Sequence, residues 1–216
     1  MKLNIEDLTR AEPFCAGVLL RKEEALLVTL NEDHLPAGLA CRAFRVGCVG
    51  GGQEMGETIL QCALREGQEE TSSKIELISS DESHLVDFET GQLIKIEVSD
   101  KIKPFLFEKN RNPTPEKPYK RGLPTGPFVY GAVYQAVVQN DKRLEAGDDV
   151  IGLLWIEPSH WPLIENGSTL RELINNGADL ISYHGHTLDV PLWAPDNEST
   201  GFICRLLSHT KKTGTR

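Results

Sequence analysis

The sequence predicts an α/β (α+β) fold built on a mixed β-sheet, and three observations support this prediction. Short apolar or alternating runs, typical of strands, fill most of the chain. One helical segment follows a run of three glycines, and a second helical segment comes late. This order of elements is typical of a sheet sandwiched between helices, and 216 residues suit a single domain over residues 1–216.

The first elements lead from a hairpin to a helix. Residues 14–30 hold two apolar runs around the charged RKEE, which predicts a β-hairpin. A loop over residues 31–42 follows, and then a strand over residues 44–52 that ends in Gly50, Gly51 and Gly52. The next segment predicts a helix from Thr58, as N-cap, to Thr71.

The later elements alternate between strands and one more helix. Strands are predicted over residues 74–80, 84–88, 91–99, 128–138 and 149–158. Residues 109–127 hold five prolines and five basic residues, which predicts a loop insertion. A C-terminal extension begins at about residue 162. It contains a helix over residues 168–181, with Ser168 as N-cap and Gly177 near its end, and a frayed polar tail from Ser208.

Charge and cysteine content narrow the class of protein. The net charge of −9 argues against a nucleic-acid polymer or an anionic membrane as the main partner. Five cysteines without a CxxC pair argue against a disulfide framework or a zinc ribbon. The first residues lack an apolar signal core, and no stretch approaches the roughly 20 apolar residues that span a bilayer. We therefore expect a cytoplasmic protein.

Three carboxylates crowd one face of the first predicted helix. At about 100° per residue, Glu66 and Glu70 lie roughly 40° apart, and Glu69 lies roughly 60° to the other side of Glu66. Like charges at these spacings oppose a helix by about 0.2–0.5 kcal/mol per pair. Arg65 points about 100° away from Glu66, so it is not expected to neutralise the cluster by itself. A solvated acidic face is one interpretation; a site for Mg²⁺ or Mn²⁺, whose preferred ligands are carboxylate oxygens, is the other.

The residues upstream favour the metal site. The stretch GGQEMGETILQCALREGQEETSS, residues 51–73, resembles the signature of the Nudix hydrolase family, the Nudix box. Six residues match at the spacing of the signature: Gly51, Glu57, Arg65, Glu66, Glu69 and Glu70. Three positions depart from it, because Gly67 and Ser73 replace apolar residues and Ser72 replaces a glycine. All the acidic ligands are retained.

The resemblance implies a Nudix-type α/β/α sandwich and an enzyme of defined chemistry. Members hydrolyse a pyrophosphate bond in a nucleoside diphosphate linked to another moiety, using Mg²⁺ or Mn²⁺. Glu66 and Glu70 would be the principal metal ligands, with Glu69 sharing the metals or acting as base. The carbonyl of Gly50 or Gly51 would complete the shell, and Arg65 would pair with Glu57 to hold the loop against the helix. The partner would be a small nucleotide-type molecule, and a homodimer would be common for the family.

Several alternatives stay open at this level. A Nudix-fold regulator could bind a nucleotide or nucleotide sugar without turnover, and an isomerase on the same fold is a weaker option. Further acidic ligands could come from a later loop, either as ligands or as a solvated turn: Glu145, Asp148 and Asp149. The basic insertion, with Lys117, Tyr119, Lys120 and Arg121, could cover phosphates or be a solvated loop. A metal pair at His184 and His186 and base stacking by Trp155, Trp161 or Trp193 are less favoured than structural roles. The markers of the known subfamilies are missing, so the physiological substrate is open.

Overall fold

The chain was analysed as a computed structural model, which describes residues 2–39, 42–139, 144–147 and 150–213, with side chains through residue 208. It contains two compact units. Unit 1 consists of residues 1–19, 50–68 and 74–140, and unit 2 of residues 20–49, 69–73 and 141–216. In the described part, no helix combines the length and apolar character that crossing a bilayer requires.

The described residues form eleven strands, five α-helices and one short 3-10 helix at Pro158–His160. The strands are β1 (Phe14–Lys22), β2 (Ala25–Asn31), β3 (Phe44–Gly52), β4 (Ile75–Ile78), β5 (Ser83–Asp87), β6 (Gln92–Ile96), β7 (Leu106–Arg111), β8 (Phe128–Val138), β9 (Gly152–Ile156), β10 (Asp179–Tyr183) and β11 (Leu192–Trp193). The helices are α1 (Ile5–Thr9), α2 (Ile59–Thr71), α3 (Trp161–Glu165), α4 (Leu170–Asn175) and α5 (Ser199–Thr213).

Unit 1 is built on a mixed sheet. Its strands follow the order β1-β8-β7-β5-β6, and β4 also pairs with β8. β5 and β7 are parallel, whereas β8 is antiparallel to both β7 and β4. The central strands supply the core of the unit through buried side chains such as Leu106, Phe107 and Tyr134. Full burial of each such apolar side chain contributes about 1.5–3 kcal/mol.

Unit 2 also has a mixed sheet, in the order β10-β9-β2-β3. β2 lies between two antiparallel neighbours, and six of its seven residues are buried. A strand buried on both faces reads as a continuous apolar run, as ALLVTLN does. The short strand β11 adds to β3 in parallel.

Most sequence-based predictions of elements are confirmed. The hairpin is present as β1 and β2, the glycine-ended strand as β3, and the first helix as α2. The five later predicted strands are present as β4, β5, β6, β8 and β9. The predicted α+β class with a mixed sheet is therefore confirmed.

Three predictions of elements are wrong in part. Residues 109–111 belong to β7 rather than to the insertion. Their charged side chains are accommodated at the surface of the sheet, where Lys109 forms an ion pair with Asp87 and Arg111 forms one with Glu89. The tail from Ser208 continues α5 as far as Thr213.

The second predicted helix is shorter than residues 168–181. Its N-cap is Thr169 rather than Ser168, because Glu172, three residues on, completes a capping box with Thr169. The helix ends at Asn175, and Gly177 follows with a φ of +106°, so that Asp179 can begin strand β10.

Candidate active site

The end of β3 and the connection to α2, together called the box loop (residues 50–58), depend on two glycines that approach other groups closely. Gly50 has a φ of +155°, and a methyl group placed on it would lie 2.5 Å from the Cα atom of Gly17. A methyl group on Gly51 would lie 2.7 Å from the carboxylate of Glu66. Side chains at these positions would collide with the backbone and with a candidate metal ligand. The glycines therefore let the loop lie directly against Glu66.

Two further contacts set the course of this loop into α2. The buried side chain of Gln53 accepts a hydrogen bond from the backbone N–H of Phe14 at 2.7 Å, and the Gln53 N–H donates to the Phe14 carbonyl at 3.3 Å. At the start of α2, Thr58 and Gln61 each accept a hydrogen bond from the other's backbone N–H. This reciprocal cap confirms the predicted N-cap at Thr58.

Arg65 joins the loop to the helix through three partners. Its Nε donates to Glu57 Oε1 at 2.7 Å, and its Nη2 donates to the carbonyl oxygen of Gly52 at 2.8 Å. Its Nη1 donates to Glu66 Oε1 at 2.7 Å. The hydrogen bond from Arg65 lowers the pKa of the Glu57 carboxyl below its usual value. The expected Arg65–Glu57 ion pair is thus confirmed.

The expectation that Arg65 stays away from the acidic face is wrong. The Cα–Cβ bonds of Arg65 and Glu66 diverge by about 100° on the helix. However, the guanidinium sits at the end of a long flexible stem, so it reaches back to the neighbouring carboxylate. Arg65 therefore compensates part of the negative charge that the three glutamates bring together.

The three candidate metal ligands differ in burial. Glu66 and Glu70 are 9% and 7% exposed, whereas Glu69 is exposed. Burying a carboxylate is costly unless charges or hydrogen bonds compensate it. The donor set is entirely carboxylate oxygen, which fits Mg²⁺ or Mn²⁺. Within the described ranges, however, no three His, Cys, Asp or Glu side chains already lie close enough together to hold a metal ion.

The C-terminal end of α2 is held by backbone groups of residues 144–147. The N–H of Gly147 donates to the Glu70 carbonyl at 3.1 Å, and the N–H of Glu145 donates to the Thr71 carbonyl at 3.2 Å. A methyl group on Gly147 would lie 2.3 Å from the carbonyl oxygen of Glu69. Glu145, one of the predicted extra acids, is exposed, and its backbone lies at the end of the helix that carries Glu69 and Glu70. The other two, Asp148 and Asp149, lie outside the described residues.

The family model for the NUDIX domain matches residues 13–174, which is most of the chain. The chain belongs to the Nudix family. Its predicted enzyme class, a Nudix hydrolase, is confirmed at the level of the family. A comparison with curated protein sequences finds no match.

Several solved Nudix structures resemble the chain at low identity. A NUDIX hydrolase from Nitrosomonas europaea is 12% identical with a TM-score of 0.38, over 67% of this chain and 57% of that one. An ADP-ribose pyrophosphatase from Streptococcus suis is 9% identical with a TM-score of 0.44, over 94% and 93%. An Ap4A hydrolase from C. elegans is 13% identical with a TM-score of 0.39, over 76% and 92%. At this level of similarity, these structures do not identify a substrate.

The departures from the Nudix box have structural explanations. Gly67 replaces an apolar residue because its space is already filled: a methyl group there would lie 2.3 Å from Ile75 Cδ1 and 3.0 Å from Val18 Cγ2. Ser72 stands where the box has a glycine, and its φ of +49° is the left-handed conformation that glycine adopts most easily. Ser73 is buried at an apolar position.

A buried thiol lies inside the Nudix box. Cys62 is fully buried on α2, and its Sγ lies 3.8 Å from the Gly51 carbonyl oxygen and 3.7 Å from Arg65 Nη2. Burial and the negative charge of Glu66 raise the pKa of this thiol. Cys62 therefore stays protonated and acts as a packing group rather than as a nucleophile.

Sequence reasoning missed one largely buried carboxylate of unit 2, whose side chain is 11% exposed. Glu198, directly before α5, accepts a hydrogen bond from the N–H of Cys48 at 2.9 Å, and burial raises its pKa. A lone glutamate in the polar run PDNEST gives no pattern that could have indicated this contact. Its role is to fix the start of α5 to strand β3.

Two weaker sequence candidates have structural contacts. His184 Nε2 lies 3.1 Å from the Ala146 carbonyl oxygen, so this histidine supports the segment at residues 144–147. Trp161 is buried and its indole N–H donates to Glu165. These contacts account for both residues without a metal or a nucleobase.

Proposed function

We propose that this Nudix protein hydrolyses a pyrophosphate bond in a nucleoside diphosphate linked to another moiety, with Mg²⁺ or Mn²⁺. The observation that carries the proposal is the set of contacts made by Arg65. This one guanidinium binds Glu57 and the Gly52 carbonyl of the box loop, and it binds Glu66 of the box helix. Such preorganisation of loop and helix is what a positioned catalytic group requires.

Glu66 and Glu70 are the proposed principal metal ligands, and the carbonyl of Gly50 is a proposed further ligand. Both glutamates are buried on α2 four residues apart, where a cation offsets the cost of two desolvated carboxylates. When bound, the metal supplies neutralisation of phosphate charge and a water that deprotonates near neutral pH.

Glu69 is the proposed proton acceptor, or a third metal ligand. Its carboxylate is exposed, in contrast to Glu66 and Glu70, so water can reach it. Arg65 and Glu57 act by positioning, since their ion pair holds the loop that carries Gly52. Glu145 is a proposed additional acid, because its backbone binds the last residue of α2.

The test is a screen of nucleoside diphosphate derivatives with Mg²⁺ or Mn²⁺, in which the phosphate products are measured. On any substrate that is cleaved, Glu66→Gln and Glu70→Gln should each lower kcat by about 10²–10⁴. Both variants should keep the circular dichroism spectrum of the wild type. Glu97→Gln, an exposed glutamate of unit 1 outside the box, is the matched control. Wild-type turnover in both box variants would contradict the proposed metal site.

The second candidate is a Nudix regulator that binds a nucleotide or nucleotide sugar without cleaving it. The observation in its favour is the departure from the Nudix box at Gly67, Ser72 and Ser73. Tight nucleotide binding with no product under any metal would favour this candidate. The single domain over residues 1–216, the cytoplasmic location and the homodimer stay predictions.

A further inference from the structure

The insertion between β7 and β8 is an ordered loop. Arg111 pairs with Phe128 across the two strands, so the connection comprises residues 112–127. Both its ends are tied together, because the Asn112 N–H donates to the Pro127 carbonyl and the Asn112 side chain donates to the Gly126 carbonyl, each at 2.9 Å. Connections longer than about 12–15 residues without secondary structure are uncommon and often functional. The loop is therefore a candidate for a role beyond joining two strands.

The loop lies against the Nudix box, within unit 1. A methyl group on Gly52 would lie 3.6 Å from Cε1 of Tyr119, which is ordinary van der Waals contact. Gly122 lies close to Met55 in the same way, since a methyl group on Gly122 would lie 3.1 Å from the Met55 sulfur. Gly52 is also the residue whose carbonyl binds Arg65. Tyr119 therefore lies close to the residue whose carbonyl accepts a hydrogen bond from the guanidinium that binds Glu66.

Tyr119 presents most of its ring to solvent despite this position. Its side chain is 72% exposed, and the neighbouring Met55 is 77% exposed. The ammonium group of Lys120 lies 5.8 Å from the centre of the Tyr119 ring. Aromatic rings with a free face bind nucleobases by stacking, which contributes about 1–3 kcal/mol per base.

The loop also carries positive charge that the protein leaves without a counter-ion. Lys117, Lys120 and Arg121 are all exposed, and in the described part of the chain none of them forms an ion pair with a carboxylate. Lys109 and Arg111, at the end of β7, differ because both are paired with Glu89. In a chain of net charge −9, unpaired cations beside the box loop mark a local site for anions.

We propose that Tyr119 is a substrate-recognition residue that stacks on the nucleobase, and that Lys120 and Arg121 bind a phosphate of the same nucleotide. The preferred ligand is therefore a nucleotide with both a base and a diphosphate, rather than a base-free polyphosphate. That such a ligand is also cleaved rests on the function proposed above. The recognition itself does not depend on cleavage.

Equilibrium binding of two probes tests this proposal. The first probe is α,β-methylene-ADP, whose bridging carbon resists hydrolysis, and the second is methylenediphosphonate, which lacks base and ribose. With Mg²⁺ present, calorimetry should show that Tyr119→Ala weakens the first probe by roughly 5- to 100-fold and leaves the second within twofold. Tyr119→Phe keeps the ring and should bind both probes as the wild type does.

The double variant Lys120→Ala/Arg121→Ala tests the role of the positive charges. It should weaken the binding of both probes and reduce the dependence of that binding on salt concentration. Lys101→Ala removes an exposed charge of unit 1 outside the loop and serves as the matched control.

Three results would overturn the proposal. These are wild-type affinity of Tyr119→Ala for α,β-methylene-ADP, an equal loss of both probes in that variant, and no binding of either probe to the wild-type protein. Failure of the proposed hydrolysis is distinguishable, because it would appear as absent turnover in the wild type while the binding pattern above is retained.

Discussion

The two ends of helix α2 are held by different kinds of contact. Before the N-terminal end, side chains fix the incoming loop to the middle of the helix: Arg65 binds Glu57 and the Gly52 carbonyl, and it also binds Glu66. At the C-terminal end, backbone groups make them, since the N–H groups of Glu145 and Gly147 bind the last carbonyls of the helix. Side-chain contacts require particular residue types, whereas backbone contacts require only a chain that passes at the right distance.

This difference coincides with two of the three departures from the Nudix box. The box residues Gly51, Glu57 and Arg65 serve the end that depends on side chains. The substitutions at Ser72 and Ser73 fall at the end that depends on the backbone. Substitutions that change residue type should therefore affect the contacts before α2 most. The C-terminal end should be affected most by substitutions that keep residues 144–147 from approaching the helix.

The largest effect should come from Arg65→Ala. Without the guanidinium, Glu57 and Glu66 lose a charged hydrogen-bond partner, and the loop loses its link through Gly52. We expect kcat on a cleaved substrate to fall by about 10²-fold or more, and the free energy of unfolding to fall by about 1–3 kcal/mol. Arg65→Lys should recover stability only in part, because one ammonium group cannot reproduce the several N–H donors of the planar guanidinium. An unchanged kcat in Arg65→Ala would contradict the positioning role proposed for Arg65.

A smaller effect is expected from Gly147→Ala at the other end. The added methyl group would lie 2.3 Å from the Glu69 carbonyl oxygen, so the segment would have to move away from the helix. Urea unfolding should show a loss of about 1–3 kcal/mol. Gly38→Ala, where a methyl group meets nothing within 4 Å, is the control and should change stability by less than about 1 kcal/mol. Equal stability of both variants would show that residues 144–147 do not hold the helix end.

Ser72→Gly should act in the opposite direction. Ser72 holds a φ of +49°, which costs a residue with a Cβ roughly 1 kcal/mol relative to glycine. The flexible glycine also gains freedom in the unfolded chain, so the net gain in the free energy of unfolding should be below about 1 kcal/mol. A thermal melt would detect this as a small rise in Tm. A clear fall in Tm would mean that the Ser72 side chain stabilises the helix end.

The smallest effect should be the pH dependence of the Glu57–Arg65 pair. The hydrogen bond from Arg65 lowers the pKa of folded Glu57 below its unfolded value of 4.5. The folded state therefore gains stability from this group above about pH 4.5, and that gain is lost as the pH falls through the lower folded pKa. The stability difference between wild type and Glu57→Gln should shrink over this acidic range. A difference that stays constant down to pH 3 would contradict this assignment.

Sequence reasoning reached the parts of the site where residue type decides the contact. The resemblance to the Nudix box implied the Arg65–Glu57 pair, and the N-cap at Thr58 follows from the residues at the start of the helix. The support from Gly147 could not be predicted, because a backbone donor 77 residues after Glu70 leaves no pattern in the side chains. The bond from Arg65 to Glu66 was missed because helical geometry gives the direction of Cβ and not the reach of a long side chain.

The fold shows the same limit. Strands with apolar runs, such as β2 and β8, were found from their composition. The predicted helix over residues 168–181 took in the first three residues of strand β10, because the sequence DLISY is compatible with both and only its pairing with β9 decides. The contact between Tyr119 and Gly52 joins a loop to a turn far apart in the sequence, so no local signal indicates it.

The buried thiol of Cys62 offers a probe of how often the Nudix box opens. Alkylating reagents react with thiolates that they can reach, and Cys62 is both fully buried and held as a thiol. It can react only when the loop at Gly51 separates from α2, so its rate of labelling reports how often that separation occurs. A ligand that tightens the box would slow the labelling, even in a protein whose substrate has not been found.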